Sequence, residues 1–351
     1  MARNEGVVVL VITSERFAEH TTPPGHPESP ERAEVMDAVA AEWRDRGGQT
    51  AEPRAATRDE LARVHAPSYL DALERVRGRP ARLDPDTYTS PESLDIAALA
   101  AGAAIEATRY TLNGSGAAFA LVRPPGHHAE ADRAMGFCLY NNAAVAAADA
   151  RANGASRVAV VDIDVHHGNG TQSMFYSDPA VLYVSTHQFP FYPGTGAADE
   201  VGDGAGRGRT VNIPLEAGAT DADYLLVYEH IVAPVIESFA PDVLLVSAGF
   251  DAHEQDPLAG MRVSTAGYTA IVRILRELAD RACRGRIAMV AEGGYDLRAL
   301  AACLSASIAL LNGALDPTGA APGSLPAAND ARGRAAVAAV RAVQKSFWSQ
   351  I

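Results

Sequence analysis

Val160-Val161-Asp162-Ile163-Asp164-Val165-His166-His167 reads as an apolar, β-branched strand that runs straight into carboxylate and imidazole side chains. Residues two apart on a strand face the same side, so Asp162, Asp164 and His166 are expected to project together. Two carboxylates on one apolar strand are costly unless something positive meets them. Outward from this run, short β-branched segments alternate with Ala-rich helical ones, the pattern of parallel strands joined by crossover helices. Strands are predicted over residues 7–12, 117–122, 157–163, 181–185, 210–214, 242–247 and 287–291. Helices are predicted over 30–46, 94–112, 141–151, 221–239, 265–282 and 297–312. A Gly/Pro/Ala-rich surface excursion over 315–334 precedes a last helix ending near Trp348. The fold class is α/β. With 351 residues, 48% of them hydrophobic, the chain can bury a large core, and the lack of a linker or internal repeat favours one domain over residues 1–351.

Composition narrows the function. No run approaches the roughly 20 apolar residues of a membrane span, and residues 7–12 are too short for a signal-peptide core. Cys138, Cys283 and Cys303 are odd in number, far apart and free of C-x-x-C spacing. Neither a disulfide framework nor a thiolate metal site is indicated, and a reducing cytoplasm is the expected home. A net charge of −13 without a Lys/Arg cluster argues against a nucleic-acid partner. An acidic surface steers cationic substrates, although solubility alone explains it as well.

Gly- and Pro-rich loops follow the strands: Arg123-Pro124-Pro125-Gly126, His167-Gly168-Asn169-Gly170, Pro193-Gly194-Thr195-Gly196 and Glu292-Gly293-Gly294. In open α/β sheets ligands bind beyond the carboxyl ends of strands, so chemistry is expected on these loops. A second apolar strand ends in Ala248-Gly249-Phe250-Asp251. Asp164, His166 and Asp251 then offer oxygen and nitrogen ligands without sulfur, suited to zinc or another divalent first-row ion, with a position left for water. Taken alone, the D-x-D-x-H run serves equally as an ion-pair network or as strand-end caps. The tandem His127-His128 is a stronger signal, because imidazole is the natural general base near neutral pH. Asp162 is available to orient one of the two rings. Tyr295 follows two glycines at another strand end, where its phenol can donate to an oxyanion, although tyrosine after a turn is most often packing.

Together these residues resemble the histone deacetylase, acetylpolyamine amidohydrolase and acetoin-utilisation superfamily, closest to its class II and bacterial histone deacetylase-like members. The resemblance is carried in order by residues 26–32, 123–128, 136–138, 141–143, 162–170, 192–196, 248–251 and 293–295. It implies the arginase/deacetylase fold, a mainly parallel central sheet with helices on both faces. It makes Asp164, His166 and Asp251 ligands of one catalytic Zn2+, His128 the general base and acid, and His127 its neighbour paired with Asp162. Tyr295 becomes the oxyanion donor. Phe137 and Tyr192, with Gly136, Gly294 and Leu258, line a narrow channel for an acyl-lysine stem, and Arg32 lies near its inner end. A structural K+ is implied at Asp162, Ser185 and backbone oxygens of Asp164, His166 and Thr186. The implied partner is an acylated amine, and a homo-oligomer is compatible.

Three positions distinguish branches. Asn169 stands where class I members have an aspartate behind the base, which leaves His128 less basic. Tyr295, where class IIa members carry histidine, implies a working acetyl hydrolase. Leu258 aligns with the glutamate gatekeeper of polyamine-selective relatives and favours acyl-lysine. The rivals are an acetylpolyamine amidohydrolase, a non-catalytic acyl-lysine binding module and an arginase-like ureohydrolase. The last needs a D-x-H-x-D pattern that Gly168 interrupts. His20 and His26 are expected at the rim, and Glu292 as a plain strand-end carboxylate.

Overall fold

A computed structural model describes residues 9–114, 116–314 and 330–351. Residues 7 and 8 of the first expected strand, and 315–329 of the Gly/Pro/Ala-rich stretch, lie outside the described residues. The strands are β1 Val9–Ile12, β2 Gln49–Ala51, β3 Ala81–Arg82, β4 Tyr88–Thr89, β5 Ala117–Ala120, β6 Val158–Asp162, β7 Val181–Gln188, β8 Thr210–Leu215, β9 Val243–Ala248 and β10 Ile287–Ala291. Eight of them form one sheet in the order β2-β1-β5-β10-β9-β6-β7-β8, and every neighbouring pair is parallel. β3 and β4 form a separate antiparallel hairpin.

The central strands are apolar at nearly every position because both faces are covered. Val158 and Val160 pack with Ala143, Ala147 and Ile96, from helices Asn142–Ala152 and Ser93–Leu112. Ala159 and Val161 pack on the opposite face, in the core that holds Met36, Leu275, Leu304 and Val340. Those side chains come from helices Glu31–Asp45, Thr265–Cys283, Leu297–Leu311 and Ala331–Gln344. No helix among the described residues is long and apolar enough to cross a membrane.

The strand order sets the site. After β5 the chain skips two places to β6, and β9 and β10 fill the gap last. The loops that follow β5, β10, β9 and β6 therefore converge at the carboxyl edge where the winding reverses.

Three local differences from expectation have physical causes. β6 stops at Asp162, because Asp162 Oδ1 accepts the Asp164 amide at 3.2 Å and turns the chain out of the ladder. The strand alternation expected to align Asp162, Asp164 and His166 ends before it reaches the last two. The helix expected over 221–239 contains a widened turn at Tyr228–Val232. Pro234 lies just beyond it, and its missing N–H and ring cannot continue tight helical geometry. β2, β3 and β4 are two or three residues long and carry no periodicity to read.

Candidate active site

The chain beyond β6 is fastened by backbone donors. Ile163 N donates to Ser247 O at 2.9 Å, Val165 N to Asp251 Oδ1 at 2.8 Å and His166 N to Asp164 Oδ1 at 2.9 Å. Gly293 N donates to Asp164 Oδ2 at 2.9 Å. These bonds bring one ligand atom from each of Asp164, His166 and Asp251 within 4.8 Å of one another. Glycine keeps the cradle open. A Cβ on Gly293 would stand 2.2 Å from Asp251 Oδ2, and one on Gly249 2.1 Å from Asp164 Oδ2. Both carboxylates are buried and meet the same imidazole nitrogen, His166 Nδ1, at 3.1 Å. No Lys or Arg among the described residues pairs with either. Burial and the charge of Asp164 push the Asp251 carboxyl up to about 7. Burial works against charge on His166, but the two carboxylates raise it to about 10. An oxygen–nitrogen–oxygen donor set with no Lys or Arg paired to it among the described residues fits a divalent cation.

The adjacent histidines lie 4.0 Å apart by ring centroid and have different backing. His127 Nδ1 is 3.0 Å from Asp162 Oδ2, which also accepts from Tyr183 OH at 3.0 Å. Burial opposes charge on His127, but the carboxylates of Asp164 and Asp162 outweigh it and hold this imidazole well above its usual range. His128 Nδ1 is 2.8 Å from Asn169 Oδ1, a neutral partner. Burial, then the positive charges of His127 and His166, push His128 well below its usual range.

Glu292 does more than end a strand. Its Oε2 accepts from Gly126 N at 2.6 Å and His127 N at 3.2 Å, and its Oε1 from Ser247 Oγ at 3.0 Å. It thereby ties the histidine loop to β9 and β10. Arg32 is fully buried, donates to Gly294 O at 2.8 Å and stacks its guanidinium 5.0 Å from the Tyr295 ring centroid.

A cavity of about 220 Å³ opens from the two histidines and His166 and is walled by Phe137, Tyr192, Leu258 and Tyr295. Gly136 also lines it, with φ +56 and no room for a Cβ, which would stand 2.5 Å from the His128 ring. Gly294 is not part of this wall. Its φ of +120 turns the chain so that its carbonyl meets Arg32, and Tyr295 alone faces the cavity. Burial pushes the Tyr295 phenol well above its usual range, so it stays a hydrogen-bond donor.

Several wall residues escaped the sequence reading. Phe191 stacks on His166 with centroids 5.4 Å apart, and Pro125 and Asp86 complete the lining. Asp256 accepts from Tyr295 N at 2.7 Å and from Leu258 N at 3.0 Å, joining the two loops that carry those side chains. Phe191 could have been found as the neighbour of Tyr192. Asp86 lies in a turn with no pattern to read.

At the expected potassium position, Asp162 and Ser185 are register partners on β6 and β7, and Thr186 Oγ1 donates to Asp162 O at 3.5 Å. The Ser185 hydroxyl also meets His187 Nδ1 at 2.9 Å. His26, expected at the rim, packs edge-on to Phe137 with ring centroids 4.7 Å apart and is not among the residues that line the cavity. His20 is not at the rim. It is buried 2.7 Å from Ser93 Oγ and 3.4 Å from Glu28, the carboxylate that also pairs with Arg32.

Comparison with known proteins bears on this geometry. A family profile described as histone deacetylase domain matches residues 26–311. Histone deacetylase 15 of Arabidopsis thaliana is 40% identical over 334 residues, which cover 93% of this chain and 59% of that protein. The chain thus spans somewhat over half the length of this relative. A probable deacetylase of Archaeoglobus fulgidus is 39% identical over 295 residues, 83% of this chain and 82% of the relative. The crystal structure of the HDA15 HD domain superposes with a TM-score of 0.89 at 39% identity, covering 98% of this chain and 96% of that one. The fold is the arginase/deacetylase α/β fold.

Proposed function

Since the chain belongs to the histone deacetylase family, whose members are amide hydrolases, we propose that it is a zinc-dependent deacylase that removes acetyl or other short acyl groups from acylated lysine side chains or similar amines. One observation carries this reading: a carboxylate–imidazole–carboxylate triad and two unlike histidines meet at the inner end of one narrow cavity. Asp164, His166 and Asp251 would hold the ion. Bound there, zinc supplies Lewis-acid polarisation of an amide carbonyl and lowers the pKa of a water.

The remaining steps fall to side chains. His128 keeps its proton on Nδ1, directed at Asn169 Oδ1, so its Nε2 is free to take a proton from the attacking water. His127, held by Asp162, stands beside His128 and offers its Nε2 side to the developing oxyanion. The Tyr295 hydroxyl donates to that oxyanion. His128 Nε2 then returns its proton to the leaving amine, and the acyl group departs as carboxylate. Phe137 and Tyr192 grip the alkyl stem between them and keep water from it. A potassium ion at Asp162 and Ser185 belongs to the same proposal.

A second reading, acetylpolyamine hydrolysis, has its own support in Asp86 at the cavity mouth, where a carboxylate meets a cationic tail. Leu258 supports the acyl-lysine reading. The purified protein should carry one zinc per chain, hydrolyse acyl-lysine peptides faster than acetylspermidine, and lose activity to a chelator and regain it with Zn2+. Zinc-loaded protein that hydrolyses no acyl-lysine peptide and no acetylpolyamine would leave only the binding-module reading.

A further inference from the structure

Asn169 presents a problem that the reading of His128 as base does not solve by itself. A side-chain amide has an accepting end and a donating end of nearly equal shape. With Oδ1 toward His128, the ring proton sits on Nδ1 and Nε2 is bare. Turned over, the amide would donate to His128 Nδ1, move the ring proton to Nε2 and remove the lone pair that the reaction uses. The backbone of Asn169 is fixed at the start of helix Asn169–Phe175, where Asn169 N donates to His167 O at 2.9 Å and Gly170 N to His127 O at 3.1 Å. Neither bond decides which way the amide faces.

Glu130 does. Asn169 Nδ2 donates to Glu130 Oε1 at 2.7 Å, whereas its approaches to His128 O and Met135 Sδ are both 3.4 Å. A carboxylate only accepts, so a flipped amide would set Oδ1 against Glu130 and lose a charge-assisted bond. Glu130 is held in turn. Arg133 Nη2 donates to Oε1 at 2.8 Å, its backbone N donates to Arg133 O at 3.0 Å, and its carbonyl meets His65 Nδ1 at 3.0 Å. Its side chain is 23% exposed, at the outer end of a chain of groups that reaches inward to the cavity.

We propose that Glu130 is a positioning residue for the general base: through Asn169 it fixes the Nδ1–H tautomer of His128 and polarises the amide oxygen that accepts that proton. The inference rests on the reading of His128 as base. It assigns Glu130, at one remove, the service that Asp162 gives His127 directly. The intervening amide stays neutral and leaves His128 easily deprotonated, while the carboxylate beyond it restores order and some acceptor strength.

The test uses the full zinc-loaded chain with one acetyl-lysine peptide, and compares wild type, E130Q, N169D and the double variant. E130Q should lower kcat about tenfold, the scale of one charge-assisted hydrogen bond, with KM and zinc content unchanged. In the N169D background Glu130 faces a second carboxylate, so E130Q should there raise kcat. A loss of similar size in both backgrounds, or no loss in wild type, overturns the proposal in favour of simple loop support. Nitrogen NMR of labelled histidine gives a readout independent of turnover. His128 should be a single Nδ1–H tautomer in wild type and mixed in E130Q, and an unmixed tautomer in E130Q also overturns the proposal. H128A separates the two levels, because full activity in that variant removes the base assignment itself.

Discussion

At the inner end of the cavity Asp162, Asp164 and Asp251 are fully buried and each accept from two or more groups, whereas at the mouth Asp86 is only half-buried and shares hydrogen bonds with Thr87, Asp84 and the Gly136 backbone. Beside Asp86, Phe137, Tyr192 and Leu258 offer mainly carbon surface. The inner end is preorganised by backbone and buried partners, so its groups cannot follow a substrate and instead act on whatever bond arrives. The mouth sets which molecule arrives. Changes inside should therefore appear in kcat, and changes outside in the ratio between substrates.

Removing the base tests the inner end most severely. His128→Ala should lower kcat by about 10³-fold, within the range for general acid–base catalysis, with zinc content and KM little changed. A loss below tenfold would shift the base role to His127 and undo the contrast between the two histidines. Tyr295→Phe deletes one oxyanion donor and should cost about 10²-fold in kcat. The ring remains beneath Arg32 and opposite Phe137, whose centroid is 5.9 Å away, so packing is kept. Equal turnover in Tyr295→Phe would reduce Tyr295 to a wall residue.

The same contrast explains what the sequence disclosed. Asp164, His166, Asp251 and the histidine pair sit within eight residues of the carboxyl ends of continuous apolar strands, so strand reading points to them even though β6 ends before Asp164. Asp162, outside the metal set, is free to orient either ring, and the family resemblance pairs it with His127. Asp86, Phe191, Glu130 and Asp256 come from turns and irregular loops, and the bonds that tie such loops into the site reach far along the chain, across 39 residues for Asn169 to Glu130 and for Asp256 to Tyr295 and across 166 for Gly126 to Glu292. No periodicity links such pairs, and only the folded chain joins them. The sheet was legible for a similar reason. Its strands are continuous apolar runs, while β2 and the β3–β4 hairpin are too short to show any.

At the mouth the expected effects are smaller and selective. Leu258→Glu adds a carboxylate to an apolar wall and should move the acetylspermidine-to-peptide ratio of kcat/KM about tenfold toward the polyamine, a difference near 1.4 kcal/mol. The kcat for a short acetyl-lysine substrate should stay within about twofold. A collapse of kcat for both substrates would show that the wall at Leu258 is coupled to the chemistry, for instance through Asp256, which holds the backbone of both Leu258 and Tyr295.

Asp86 gives the finest test, because its charge can be changed without mutation. Burial, then its hydrogen bond with Asp84 and the charge of that residue, push the Asp86 carboxyl up to about 6. Below that pH the mouth carries a neutral acid, and above it a carboxylate. A polyamine with a protonated tail gains attraction as pH rises through 6, whereas a peptide with neutral flanks does not. At a partly solvated site the gain is about 1 kcal/mol, roughly fivefold. Acid–base demands of the shared chemistry affect both substrates alike, so the ratio of their kcat/KM values at each pH isolates the mouth. That ratio should rise about fivefold toward acetylspermidine between pH 5 and 7.5, and Asp86→Asn should flatten it. A flat profile in the wild type would mean that Asp86 does not meet the substrate tail, and that selection at the mouth rests on the carbon surface of Phe137, Tyr192 and Leu258.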